Sequence, residues 1–206
     1  MSNYNRIAWV YDGLARLVFG SSIQQANQAH IKSIPEGSQV LILGGGTGNL
    51  LLHFKPRVEI EFVDSSIGMI ERAKKKSHSI EKIDFIHLPF EHFLSEKKYD
   101  FIICPFFLDL FEEGPLRANL TKIMSMLHDK GQLIVSDFNR PSKPFKWLKS
   151  SLLFVTILFF RISTGLKTIK LLDLNAILSQ TQLKPVHQKN YFFGMIFSSK
   201  WIKTEH

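Results

Sequence analysis

From residue 39 onward the chain alternates short apolar runs with stretches of helical spacing. Gln39-Val40-Leu41-Ile42-Leu43 is continuous enough to predict a strand buried on both faces. Val58–Val63 alternates apolar with polar and ends at Asp64, predicting a second strand. Lys82–Ile86, Tyr99–Ile103 and Gly131–Ser136 predict three more. Between them, Ile67–Lys76 and Leu116–Leu127 predict helices, and Leu116, Leu120, Ile123, Met124 and Leu127 share one helical face. Strands that alternate with helices imply a parallel sheet covered on both sides. The end of the chain breaks the pattern. Val186–Tyr191 and Met195–Trp201 are two strand-like runs meeting near Gly194 with no helix between them, which demands an antiparallel hairpin. The expected fold is therefore α/β, a mixed seven-stranded sheet whose ligand site lies at the carboxyl ends of its parallel strands.

Composition narrows the class. The 206 residues are 45% hydrophobic and 21% charged, a globular balance that excludes disorder and suits a single domain over 1–206. A lone cysteine, Cys104, excludes an internal disulfide, and the Met1–Arg6 start lacks a signal-peptide pattern, so a cytoplasmic protein is expected. Residues 1–139 hold 15 Lys and Arg against 16 Asp and Glu, whereas residues 140–206 hold 11 against 2. The net +8 thus belongs to the last third, which could meet an anionic surface or simply face solvent.

The first strand runs straight into Gly44-Gly45-Gly46-Thr47-Gly48, with a helix expected from Asn49. Glycines admit positive φ and let a ligand approach the backbone, and a helix start offers unpaired N–H groups. Asp64, 16 residues beyond Gly48, is placed to accept both hydroxyls of a ribose. A dinucleotide loop needs G-x-G-x-x-G. Counted from Gly44 the last position is Asn49, and counted from Gly45 the middle one is Thr47. The G-x-G-x-G spacing has no pyrophosphate to cradle and suits one nucleoside with a short charged tail.

At these residues a resemblance becomes specific. Val40–Asn49 is similar to the first motif of class I S-adenosylmethionine-dependent methyltransferases, and Asp64-Ser65-Ser66 with Met69 to their second. Tyr99–Cys104 resembles their fourth-strand motif, and Leu127–Leu133 the entry to their fifth strand. The resemblance implies a Rossmann-like sheet with helices on both faces and a C-terminal antiparallel hairpin. It also implies S-adenosyl-L-methionine as methyl donor. Its contacts would be Gly44, Gly45, Gly46, Thr47 and Gly48, the ribose acid Asp64 with Ser65, Met69 and Phe90 around the adenine, and Cys104 at the end of the fourth strand. Ile42 stands where the family usually has an acid, His87-Leu88-Pro89-Phe90 where many members carry one, and Asp129-Lys130-Gly131 replaces Pro-Gly-Gly.

Tyr4–Asp12 resembles the opening of the ubiquinone and menaquinone methyltransferases. There the segment covers the cofactor, which assigns Tyr11 a place near its methionine end. Residues 1–34 are accordingly expected to be a helical cover, with Ile7, Val10, Leu14 and Leu17 as its apolar stripe. Residues 141–170 form an insert dense in apolar residues, with Lys143, Lys146, Lys149, Arg161, Lys167 and Lys170 on its flanks. Its uninterrupted apolar stretch, Leu152–Phe160, is too short to span a bilayer. The region 144–170 could be core, a lid over an apolar substrate, or a peripheral membrane contact.

Methyl transfer asks the protein mainly for alignment and a dry cavity, with a base where the acceptor must lose a proton. Asp109, just past the fourth strand, is the candidate, with helix capping or a surface position as its simpler roles. His87 and His92 are read as structural, Cys104 as a buried thiol, and no residue set has metal-ligand spacing. The expected activity is methyl transfer to a small, hydrophobic acceptor, such as a quinone-like ring or a lipid precursor. A nucleic-acid methyltransferase using the basic last third and a non-catalytic cofactor-binding module are the alternatives. Neither the acceptor nor the oligomeric state is legible in the sequence.

Overall fold

The computed structural model describes residues 19–139 and 172–204. Seven strands form one sheet: β1 Gln39–Leu43, β2 Glu59–Asp64, β3 Lys82–His87, β4 Tyr99–Pro105, β5 Leu127–Phe138, β6 Leu183–Tyr191 and β7 Ile196–Lys203. Among the described residues four α-helices accompany them: α1 Ser22–Gln28, α2 Ile67–Lys74, α3 Glu113–Met126 and α4 Leu174–Ser179. The strand order is β3-β2-β1-β4-β5-β7-β6. The first five strands pair in parallel, while β7 is antiparallel to both β5 and β6. The expected mixed sheet with a terminal hairpin is the one observed. Because β1 neighbours β2 on one side and β4 on the other, the chain reverses its direction of progress at β1, and a crevice opens there at the carboxyl ends.

Alternation along the strands divides the core between the two faces. Leu41, Leu43, Ile102, Leu133 and Val135 pack with Leu116, Leu120 and Ile123 of α3 and with Leu174, Ile177 and Leu178 of α4. Val40, Ile42, Ile60, Phe62, Ile103 and Ile134 pack on the other face with Ile31, Leu50, Leu51 and Ala73. Each such aliphatic side chain contributes about 1.5–3 kcal/mol on leaving water, so this two-sided burial holds the strand ends in register.

Three expectations are refined. The helix expected from Asn49 is there, as a five-residue 3₁₀ helix, Asn49–His53. Pro56 lies close behind and disfavours a helical Lys55, so no second turn can form. Strand β5 starts at Leu127, earlier than Gly131, because Tyr99 pairs with Leu127 across a bulge and Lys130 absorbs the irregularity at φ +63°. Leu127 therefore belongs to the sheet and not to the α3 stripe. Strand β6 starts at Leu183, earlier than Val186, because Leu183 and Lys184 already pair with Lys203 and Ile202 of β7. The hairpin between these two strands turns through Phe192, Phe193 and Gly194, all at positive φ.

Among the described residues no helix is long and apolar enough to cross a membrane. Tyr11, the apolar stripe within residues 7–17 and the 144–170 insert lie outside the described residues. Of the expected N-terminal cover, α1 and the 3₁₀ turn Ile31–Ser33 are described.

Candidate cofactor and acceptor site

The glycine turn leaves β1 at the crevice and is fixed from both sides. Gly44 N–H donates to Val63 O of β2 (2.9 Å), and Gly48 N–H donates to Gly45 O (3.2 Å). Gly46 and Gly48 sit at φ +56° and +73°, where a side chain is strained. Their surroundings differ. A Cβ on Gly48 would lie 2.7 Å from Ala73 Cα, so this glycine lets α2 pack against the turn. A Cβ on Gly46 would meet nothing within 4 Å, so the backbone there borders open space. Lys76, just past α2, holds the outer side of the turn. Its Nζ donates to Thr47 O (2.8 Å) and to Asn49 Oδ1 (2.6 Å). This role was not legible in the sequence, because nothing in a lysine run marks which member reaches back.

Asp64 closes the other side. It is 9% exposed at the end of β2. Its Oδ2 accepts from Gly46 N–H (3.1 Å) and its Oδ1 from Ser66 N–H (2.8 Å). Burial raises its pKa above the ordinary value, and the two N–H groups and nearby His87 oppose the rise. Each carboxylate oxygen has two acceptor sites, so both keep capacity for ribose hydroxyls. Ser65 is exposed, and its carbonyl accepts from His87 Nε2 (3.1 Å). Ser66 caps α2 by accepting from Met69 N–H (3.4 Å), which sets the half-buried Met69 on the first turn of that helix.

Other expected contacts are committed to the core. Phe90 is buried against Phe107 (ring centroids 5.7 Å apart, edge-on) and Phe93, with Lys122 Nζ 4.4 Å from its ring centre. The Cys104 side chain is wholly buried in the cluster of Leu41, Ile102 and Val135. Burial, and then the charge of Asp137, push its thiol well above the ordinary value. Ile42 is likewise fully buried beside Phe62, in a place with no opening for an acid.

Past β4 the chain bends at Phe106 (φ +52°), and the Phe107 ring lies over Gly44, 2.6 Å from where a Cβ would stand. The 3₁₀ turn Leu108–Leu110 then carries Asp109. Asp109 does not cap that turn and is not on open surface. Its N–H donates to Asp137 Oδ2 (3.2 Å), and Phe138 N–H donates to Asp137 Oδ1 (2.8 Å). Asp137 is fully buried at the end of β5 and lies against Asp109, which is half-buried. Burial and mutual proximity raise both above the ordinary carboxylate range. Asp137 was not among the expected site residues, although an acid closing the apolar run Leu133–Ser136 was its visible sign. Beside the pair, Phe106, Phe138, Phe19 and Phe192 form an aromatic wall, with centroids of successive rings 5.0–5.4 Å apart; Phe19 and Phe138 are buried in it, and Phe106 and Phe192 are half-buried.

A mixed sheet with a reversal at β1, a glycine turn there, an acid at the end of β2 and a terminal hairpin are the frame of the S-adenosylmethionine-dependent methyltransferase class. The residues fit that donor, since the open space over Gly46 and the remaining acceptor sites of Asp64 suit its nucleoside. The family model described as a methyltransferase domain matches residues 19–188, and the chain belongs to that family. The malonyl-[acyl-carrier protein] O-methyltransferase of Priestia megaterium is 31% identical over 138 residues, 66% of this chain and 49% of that protein. The chain thus spans about half the length of this curated relative. Among solved structures, the N-methyltransferase NodS of Bradyrhizobium japonicum is similar at TM-score 0.62 and 14% identity, over 89% of this chain and 94% of that one. The plantazolicin methyltransferase BpumL, solved with S-adenosylhomocysteine, is similar at TM-score 0.61 and 17% identity, over 97% and 90%. At these identities the two structures speak for the fold. The cofactor is S-adenosyl-L-methionine.

Proposed function

We propose that the chain is a single catalytic domain that transfers a methyl group from S-adenosylmethionine to a small hydrophobic acceptor, a quinone-like ring or a lipid precursor. The half-buried rings of Phe106 and Phe192, backed by the buried rings of Phe138 and Phe19, carry this reading. They stand at the carboxyl ends of β4 and β5, where a ligand of this sheet binds, and aromatic faces favour an apolar or ring-shaped partner. Gly44–Gly48, Asp64, Ser65 and Met69 would hold the donor, with Tyr11 at its methionine end. The region 144–170 would close over the acceptor or rest on an anionic membrane. A carrier-bound acyl group is a second reading, favoured by the relative from Priestia megaterium.

The test supplies purified protein with methyl-tritiated S-adenosylmethionine, a total lipid extract and, separately, total RNA. Label in the organic phase is the expected outcome. Label confined to RNA, or to neither, would overturn the proposal.

A further inference from the structure

Asp109, half-buried, and Asp137, fully buried, lie together at the carboxyl ends of β4 and β5. Asp137 Oδ2 takes the Asp109 N–H (3.2 Å), and two carboxyl groups this close oppose each other's ionisation, so both are raised above the ordinary carboxylate range. Asp137 is held at both oxygens by the N–H groups of Asp109 and Phe138. Asp109 is not: its Oδ1 is closed to solvent and without a hydrogen-bond partner. A buried acceptor left unmatched costs about 1–3 kcal/mol, more when charged, and a fold retains such a group where a ligand satisfies it. The location supports a ligand. Asp109 lies two residues past Phe107, whose ring covers Gly44, and Asp137 precedes Phe138 of the aromatic wall. The charge of Asp137 in turn raises the buried Cys104 thiol.

We infer that Asp109, backed by Asp137, accepts the proton of a neutral protic acceptor, a phenol or enol, and that the same pair turns carboxylate acceptors away. This rests on the proposed hydrophobic acceptor and narrows it. The acceptor O–H proton passes to Asp109 as its oxygen bonds to the methyl carbon. The carbon–sulfur bond breaks with its electron pair on sulfur, giving a neutral thioether, and the proton later leaves to water. Asp137 is a positioning residue, since it fixes the Asp109 backbone. A carboxylate acceptor has no proton to give and would bring a further negative charge into a buried acidic site.

An alkylated 4-nitrophenol is the probe, because its absorbance reports its own ionisation. Bound to the protein with S-adenosylhomocysteine, it is expected to stay protonated at pH values where it ionises in water. Asp109→Asn and Asp137→Asn should each abolish that shift while S-adenosylhomocysteine affinity, measured by dialysis, stays within about twofold. With labelled donor, the wild type should methylate an alkylated hydroquinone and leave a fatty acid and a malonyl thioester unlabelled. Asp109→Asn should lower kcat by about 100-fold or more and steepen its rise with pH, as the acceptor must then ionise alone. Equal turnover by wild type and Asp109→Asn, an unshifted probe, or methylation of the malonyl thioester in preference to the hydroquinone would overturn the inference. A shifted probe with no methyl transfer to any lipid would instead overturn the proposed function and leave the pair's role standing.

Discussion

The N–H of Gly46 donates to Oδ2 of Asp64, so the open turn of glycines and the acid at the end of β2 are one hydrogen-bonded unit. Removing the acid therefore disturbs the ligand and the loop together. Asp64→Asn keeps shape and loses charge, and one oxygen becomes a donor facing the Gly46 or Ser66 N–H. Hydrogen bonds to charged groups are worth about 1.5–3 kcal/mol, so affinity for S-adenosylmethionine should fall about 10–100-fold. Equilibrium dialysis with labelled ligand measures it, and an unchanged affinity would remove Asp64 from the site.

Gly46 and Gly48 should separate ligand binding from folding. Both are at positive φ, where alanine costs about 1–2 kcal/mol. Gly48→Ala also drives a methyl to within 2.7 Å of the α2 backbone at Ala73, so its urea midpoint should drop sharply. Gly46→Ala meets no neighbour, so its midpoint should fall by the backbone cost alone while ligand affinity falls at least tenfold. Chemical denaturation with and without S-adenosylhomocysteine distinguishes the two.

The acid pair predicts a pH dependence of stability. The folded pKa values of Asp109 and Asp137 are raised, by burial first. Their contribution is therefore complete below the unfolded carboxylate range and is lost as pH rises through the raised folded values. Asp64 is raised as well and keeps its share of the slope in any variant of the pair. The pKa of buried His30 is lowered, so its own contribution is lost on the acid side. Between about pH 5 and pH 8, Asp137→Asn should gain stability relative to wild type. The gain should grow with pH, by at most about 1.4 kcal/mol for each pH unit in which the folded pair still holds its extra proton. Urea midpoints across that range provide the check, and a constant difference would contradict the pairing.

Much of the fold was legible because its strands are apolar runs buried on both faces. Gln39–Leu43 and Tyr99–Ile103 allow no other placement, and the Val186–Trp201 pair leaves no room for a crossover. The glycine turn and Asp64 were legible because their spacing carries the chemistry. What escaped depends on contacts distant in sequence. Asp137 meets Asp109 only after β4 and β5 pair, and Lys76 finds Thr47 only after α2 packs on Gly48. The short 3₁₀ helix after the turn was masked by the helix-like run Leu50-Leu51-Leu52, whose apolar content outweighed the stop signal of Pro56. Phe90, expected beside the adenine, packs against Phe93 and Phe107 with Lys122 over its ring, neighbours its place after β3 could not reveal.

A crystal structure with S-adenosylhomocysteine tests the central claim most directly. The ligand's ribose should hydrogen-bond to the Asp64 carboxylate, its amino-acid tail should cross Gly44–Gly46, and its sulfur should face the crevice shared with Asp109. Density at another place on the sheet, or none at millimolar ligand, would contradict the account.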